Sequence, residues 1–314
     1  MNSLYQNLKQ LHNLQNLVKT RDPAYFSHIT ICPQDVTTDT ISIVMTSHER
    51  SKQVYFTLDT ISKSTYKNVQ VILVDDSQAD PVDSARLHEY NMMIELVKIN
   101  RDKKCWSNPC INYNIGFEFV KGGKVVIQNS EVCHIGDVLS YINEKVKDEI
   151  YYVFDVKASR NMDTNEIIYR KSELTTTIYN EDLWDSWYQH YNHRNVQYHF
   201  LCALTKFTFD KIGGFSYDYS FGSCYDDNDL LLKIYMQNIT FMNIYNDIHQ
   251  IGGIHLFHGY NMPDKRAYSS ELNDTLFEKK KKYCAVHKQY LELSEYFDYN
   301  ILYTHYINLN SILI

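Results

Sequence analysis

No apolar run in the 314-residue sequence approaches the roughly 18 residues of a membrane-spanning helix. The amino-terminal stretch MNSLYQNLKQLHNLQNLVKT spaces its leucines instead of massing them as a signal peptide would. Positive charge is not in excess: 31 Lys+Arg face 38 Asp+Glu, a net charge of −7. A chain built to coat phosphate backbones would be strongly basic, so nucleic acid is not an expected partner. The seven cysteines (Cys32, Cys105, Cys110, Cys133, Cys202, Cys224, Cys284) are odd in number, scattered and without a C-x-x-C pair, which indicates neither a disulfide framework nor a zinc cluster. A soluble protein of a reducing, cytoplasmic compartment is the expectation. Glycine and proline are scarce at 10 and 5, while tyrosine reaches 27. That bias fits AT-rich coding DNA and says nothing of chemistry. With 44% hydrophobic and 14% aromatic residues the chain can bury a large core, which excludes a disordered or low-complexity protein.

Leu4, Leu8, Leu11 and Val18 fall near helical spacing and predict an amphipathic helix over residues 3–19. Such a helix packs on its own domain or serves a partner, including a second copy in a homo-oligomer. Beyond Pro23 and Pro33 the pattern changes. Apolar runs at 41–45 and 69–74 flank a helical stretch ending near Ser64, which is a βαβ unit of a parallel sheet buried on both faces. Further strands are expected at 93–99, 124–127 and 150–156, with helices at 108–121 and 136–148. Residues 160–200 read as polar and aromatic loops with a short helix. A helix is expected at Asp226–Met236, strand and loop at 251–259, and a charged helix at 268–290 whose run Lys279–Lys282 reads as a solvated face. No linker or repeat interrupts the chain, so one α/β domain with terminal additions is favoured.

Ligands of open α/β sheets sit beyond the carboxyl ends of the strands. The polar clusters at Thr46, Asp75-Asp76 and Asn129–Glu131 all hold that position. An aspartate there can accept from a base edge, or can cap the following helix.

Four segments in this order, IVMTSHER, VILVDDSQ, NYNIGFEFVKGGKVVIQNSEV and GGFSYDYSFGSCYDDNDLLLKI, resemble the family 2 glycosyltransferases of the GT-A fold over about residues 40–260. The resemblance implies a Rossmann-like, mostly parallel central sheet flanked by helices. It also implies an amino-terminal helical extension (1–38), a GT-A domain (39–262, with a nucleotide-binding half 39–135 and an acceptor half 136–262) and a carboxyl-terminal helical extension (263–314). The implied activity is hexosyl transfer from a UDP-sugar to a hydroxyl of a glycan or glycoconjugate, with inversion. The competing reading is an inactive sugar-nucleotide-binding relic. A nucleotidyltransferase is a weaker third reading, since no Gly-rich phosphate loop followed by Arg or Lys is present.

By the same resemblance, Thr46, Ser47, Glu49, Arg50, Asp75, Asp76 and Asn129 belong to the nucleotide site, with Asp76 favoured over Asp75 as the base reader. The family's D-x-D motif is altered. Asn129 stands at its first position and Glu131 at its second, the usual metal ligand. A divalent cation, Mn²⁺ or Mg²⁺, is implied, with His258 or His255 in the late position where GT-A enzymes supply a histidine; His258 is preferred as nearer the loop, and either can instead be a core histidine. His134 can support the same site or be structural. Asp226-Asp227-Asn228-Asp229 matches E-D-x-D-L, which makes Asp227 the general base beside Asp226. At a helix start beside further carboxylates, an aspartate feels a dipole favouring ionisation and like charges opposing it. Gly214 resembles the loop over the donor sugar, and Trp184, Trp187 and His190 are candidates to stack on an acceptor sugar.

Overall fold

The structure, a computed structural model, describes residues 2–259 and 270–295. In chain order the elements are α1 (Asn2–Thr20), β1 (Phe26–Ile31), β2 (Ile41–Ser47), α2 (Ser51–Ser62), β3 (Val69–Asp75), α3 (Ser84–Leu87), β4 (Met93–Ile99), α4 (Cys110–Phe117), β5 (Lys124–Gln128), β6 (Val132–Ile135) and α5 (Val138–Lys145). They continue as β7 (Ile150–Phe154), β8 (Val156–Ser159), α6 (Met162–Tyr169), β9 (Trp184–Gln189), β10 (Leu201–Thr205), α7 (Lys206–Ile212), α8 (Asp226–Met236), β11 (Thr240–Ile244), α9 (Asn246–His249), β12 (Gly252–His255) and α10 (Ser270–His287). Among these residues no helix is long and apolar enough to cross a membrane.

Two sheets organise them. The larger runs β1-β4-β3-β2-β5-β10-β7-β11 and the smaller β6-β12-β8-β9. Strands β2, β3, β4 and β5 are mutually parallel, with Ser47 in register with Asp75, so their carboxyl ends share one rim. Their near-continuous apolar runs are explained by burial on both faces: α1, α4 and α8 contribute to the core on one side, α2 and α5 to the core on the other. Helix α4 lies so close to the sheet that a Cβ on Gly116 would meet Cγ1 of Val44 at 2.7 Å. Of the residues whose spacing predicts α1, Leu11 and Val18 are buried, together with Leu14 and Leu17, while the side chains of Leu4 and Leu8 lie outside the described residues.

Several expectations are corrected. The region expected as a helical amino-terminal extension also carries β1, which extends the main sheet by pairing antiparallel with β4. The single strand expected at 150–156 is two strands in different sheets; between them the carboxylate of Asp155 accepts from the backbone of Asn246 at 3.0 Å. Residues 160–200 hold α6 and strand β9 besides loops. The run Lys279–Lys282 is not wholly a solvated face, because Lys280 is 1% exposed. Its Nζ lies 2.8 Å from Asp218 and 3.5 Å from Asp229, binding α10 to α8. The expected boundary at 262/263, the first two residues of the 268–290 helix and the extension beyond 295 lie outside the described residues.

Candidate active site

One cleft of about 390 Å³ opens on the rim formed by the parallel strands, lined among others by Thr46, Ser47, Arg50, Asp76, Asn129, Glu131, Asp226 and Asp227. At the end of β3, the carboxylate of Asp76 accepts from Arg101 at 3.0 Å, from Lys104, and from Asn112 at 3.3 Å. Arg101 also donates to the carbonyl of Asp76 at 3.0 Å. Asp75 turns the other way. It accepts from the backbone of Ser77 at 3.1 Å and Val82 at 2.8 Å, and burial pushes its carboxyl up. It shapes the loop that presents Asp76.

Glu49 is likewise a loop builder outside the cleft. Its carboxylate gathers the backbone N–H groups of Gln78, Ala79 and Asp80. Burial would raise its pKa, and those donors bring it below the usual value. Asn129 accepts from the Tyr113 hydroxyl at 3.2 Å, and Tyr113 also donates to the carbonyl of Gln128 at 2.9 Å.

Glu131 follows β5, and backbone pairing of β12 with β6 brings His255 beside it: Leu256 N–H donates to Glu131 O at 2.9 Å. Oε1 of Glu131 pairs with Arg50 and lies 3.3 Å from Nε2 of His255 and 3.5 Å from Nε2 of His258. Burial would raise this carboxyl, but the Arg50 guanidinium and the two imidazoles hold it well below the ordinary range. His258 is pulled down to about 4, first by burial, so it is neutral at pH 7. One ligand atom from each of Glu131, His255 and His258 falls within 4.8 Å of the others. Nε2 of His255, on a side chain stacked against Tyr188, is buried and has only the 3.3 Å approach to Glu131 Oε1 to satisfy it among the described residues. Two buried or half-buried imidazole nitrogens beside a carboxylate form a donor set that fits a divalent cation accepting mixed N/O ligands. His134 stands apart from these three. Its Nε2 is 2.8 Å from Gln128 Oε1 and burial lowers it to about 4, a structural role.

Across the cleft, α8 starts after two consecutive left-handed residues, Cys224 (φ 63°) and Tyr225 (φ 66°). Non-glycine residues in that region carry strain, which persists where the surroundings hold it. Asn273 of α10 does so, donating to Cys224 O at 2.9 Å, and a Cβ on Gly222 would collide with its side chain at 2.1 Å. The turn aims Asp226 and Asp227 into the cleft. Asp226 accepts from Asn108 at 3.1 Å and is pushed up to about 6, by burial first and then by the charge of Asp227. Asp227 lies with Oδ1 2.6 Å from Nδ1 of His199.

Besides Asp75 and Glu49, four more expected residues are not brought to the cleft. Gly214 (φ 80°) packs under α4, where a Cβ would meet Asn114 Oδ1 at 2.9 Å, and its carbonyl accepts from Lys233 at 3.1 Å. Trp184 is buried against Tyr179 and donates to Ile178 O at 3.2 Å. Trp187 packs between Tyr179 and the ring of His190, with Lys157 4.9 Å from its centre. His190 is buried beside Asp155 at 3.8 Å and lowered to about 4, by burial first. The pairing of β9 with β8 is irregular between Val156 and Lys157 and between Ala158 and Ser159, so Trp184 and Trp187 both pack on Tyr179 while Tyr188 faces the other way and stacks on His255. Unforeseen members of the cleft are Arg101, Lys104, Asn108, Asn112, Tyr113 and His199. Arg101 and Lys104 follow β4, so the rim rule that found Asp76 points to them as well. His199 has no such signal.

A mostly parallel sheet with a polar rim, an acidic helix start facing it and a carboxylate–histidine cluster between them defines the GT-A class of α/β fold. The sequence profile of Glycosyl transferase family 2 matches residues 42–211, more than half of the chain, and the chain belongs to that family. Its fold is similar to that of residues 1–349 of S. aureus TarS, crystallised with UDP-GlcNAc: TM-score 0.52 at 12% identity, over 79% of this chain and 66% of that one. A longer S. aureus TarS structure aligns with TM-score 0.48 at 11% identity, over 69% of this chain and 37% of that one. The mannosyltransferase PcManGT from Pyrobaculum calidifontis, in complex with GDP-Man and Mn²⁺, aligns with TM-score 0.43 at 15% identity, over 91% and 75%. At such identities the likeness is one of fold. The chain spans less than two thirds of the TarS chains it matches. No curated protein matches the sequence.

Proposed function

We propose that the protein transfers a sugar from a UDP-sugar to a hydroxyl acceptor with inversion. The observation that carries this reading is that a single cleft is lined by a base-reading carboxylate (Asp76), a carboxylate with two adjacent imidazoles (Glu131) and a carboxylate free to face an acceptor (Asp227). Asp76, set between Arg101 and Lys104, takes the imide N–H of uracil, and Thr46 at the neighbouring strand end hydrogen-bonds beside it. Glu131, His255 and His258 hold a divalent cation, with Mn²⁺ favoured over Mg²⁺ by the imidazoles. When bound, that cation supplies Lewis-acid stabilisation of the departing diphosphate. Asp227 takes the proton of the acceptor hydroxyl as it attacks the anomeric carbon, and the bond to the UDP oxygen breaks on the opposite face. His199 holds Asp227 in place for that transfer.

TarS is described with UDP-GlcNAc, so that donor is the first to test. A panel of sugar nucleotides, each incubated with candidate hydroxyl acceptors in the presence of Mn²⁺, should give UDP release with a UDP-sugar. Binding of UDP-sugars without UDP release to any acceptor or to water would replace the enzyme by a binding relic.

A further inference from the structure

The three groups around Glu131 converge on the same oxygen. Oε1 is paired with Nη1 of Arg50, and it is also the atom that both imidazoles approach at 3.3 Å and 3.5 Å. A carboxylate oxygen has two lone pairs, but with a guanidinium N–H on one of them and two imidazole nitrogens within 3.5 Å of the same atom, the space a cation would take at the other is crowded by Arg50. Arg50 and a cation are therefore competitors for one atom, and their like charges oppose joint occupancy in a buried setting.

Arg50 is also placed to leave. Its side chain is 16% exposed against 3% for Glu131, so it stands on the open side of the pair. It lines the cleft with Thr46 and Asn129, and Nε donates to the carbonyl of His48 at 3.1 Å, which tethers the guanidinium at the end of β2. A guanidinium matches phosphate oxygens as well as it matches a carboxylate, and a diphosphate carries more negative charge than Glu131 alone.

We propose that Arg50 is the gate of the cation site. Without nucleotide it holds Glu131; a diphosphate entering the cleft draws the guanidinium to itself and releases Oε1 to face His255 and His258. The proposal rests on the nucleotide-diphosphate and cation reading given above. Cation and diphosphate then bind with positive coupling, each raising the affinity of the other by the same factor. The gate keeps Glu131 from holding a cation before a donor arrives.

Direct ligation of the cation by the diphosphate would also couple the two, so the test is cation binding in the absence of nucleotide. Free Mn²⁺ is titrated against wild type and Arg50→Gln by electron paramagnetic resonance, without and with UDP, with thermal melts to establish that each protein is folded. Arg50→Gln should bind Mn²⁺ alone at least ~10-fold more tightly than wild type, and UDP should improve its Mn²⁺ affinity by a smaller factor. Arg50→Lys, which keeps the charge and loses the fork, should fall between them and serves if the glutamine variant does not fold. Equal affinity of wild type and both variants for Mn²⁺ alone overturns the gate while leaving the cation site standing. Failure of every protein to bind Mn²⁺ even with UDP removes the cation site, and the gate with it.

Discussion

Nδ1 of His199 lies 2.6 Å from Oδ1 of Asp227, on a ring held edge-on against both Tyr113 and Phe215 at centroid distances of 4.7 Å and 4.9 Å. The imidazole cannot swing without repacking those rings, so it fixes the direction of the carboxylate. Asp227→Asn keeps the shape and removes the proton acceptor; kcat should fall by roughly 10²–10⁴ while UDP affinity holds. His199→Phe keeps the packing and removes the nitrogen, and kcat should fall by about 10-fold or more with the KM for donor unchanged. Steady-state kinetics beside calorimetric titration of UDP read both. A loss of UDP affinity matching the loss of rate would move Asp227 from catalysis to binding.

The Asp226–Asp227 pair makes a pH prediction. Asp226 is pushed up to about 6, by burial and then by Asp227, against the hydrogen bond from Asn108. Below that pH Asp226 is protonated and sets no negative charge beside Asp227; above it that charge is present. The rate should therefore rise with pH through about 6, and Asp226→Asn should remove that step. Stability runs the other way. The folded state holds the proton more tightly than the unfolded chain, so the contribution of Asp226 is largest at low pH and is lost as pH rises toward 6. Rate profiles and melts of wild type and Asp226→Asn across pH 4–8 test both signs.

Asp76 is expected to serve the base of the nucleotide while neutralising Lys104, whose side chain is 3% exposed. Asp76→Asn should weaken UDP binding by ~1–3 kcal/mol, since an accepting oxygen is replaced by a donor. Asp76→Ala should also lower the melting temperature, because it takes a carboxylate from a buried ammonium. Unchanged UDP affinity in both variants would remove Asp76 from the nucleotide site.

The parallel half of the sheet was legible because its strands are mostly apolar runs broken by only one or two polar residues, and β4 and α8 match their expected limits residue for residue. The rim followed from that, and with it the positions of Asp76 and Glu131, whereas the Asp226–Asp227 start came from the acidic first turn of its helix and from the family resemblance. Strands β6, β10 and β11 were not legible: they are only four or five residues long and lie among residues whose polarity suits loops. Chemistry carried by tertiary contact was hidden for a related reason. Nothing in a sequence distinguishes an aspartate that faces a cleft from one, such as Asp75, that closes its own loop at 2.8 Å. Nor does composition reveal that Trp187 and Tyr188 face opposite ways until β9 is known to be a strand.

Lys280 shows the same blindness, in a run that reads as solvated. Its ammonium donates to Ser216 at 3.0 Å and lies between Asp218 and Asp229, while Glu292 completes the group by pairing with Lys233 at 3.3 Å. Burial alone would lower its pKa, but the three carboxylates push it up, so it stays charged. Because Asp229 belongs to the first turn of α8, this network anchors the helix that presents Asp227. Lys280→Met should leave those carboxylates undercompensated and cost ~3–5 kcal/mol, a fall of roughly 6–20 °C in Tm. Adding Asp218→Asn should recover part of it, because one uncompensated charge is then gone. Differential scanning calorimetry of the single and double variants decides the matter: an unchanged Tm in Lys280→Met would show that the ammonium contributes nothing to anchoring α8. At a temperature where Lys280→Met remains folded, its kcat should fall more than its UDP affinity, since the displaced helix carries the acceptor-facing carboxylate and not the base reader.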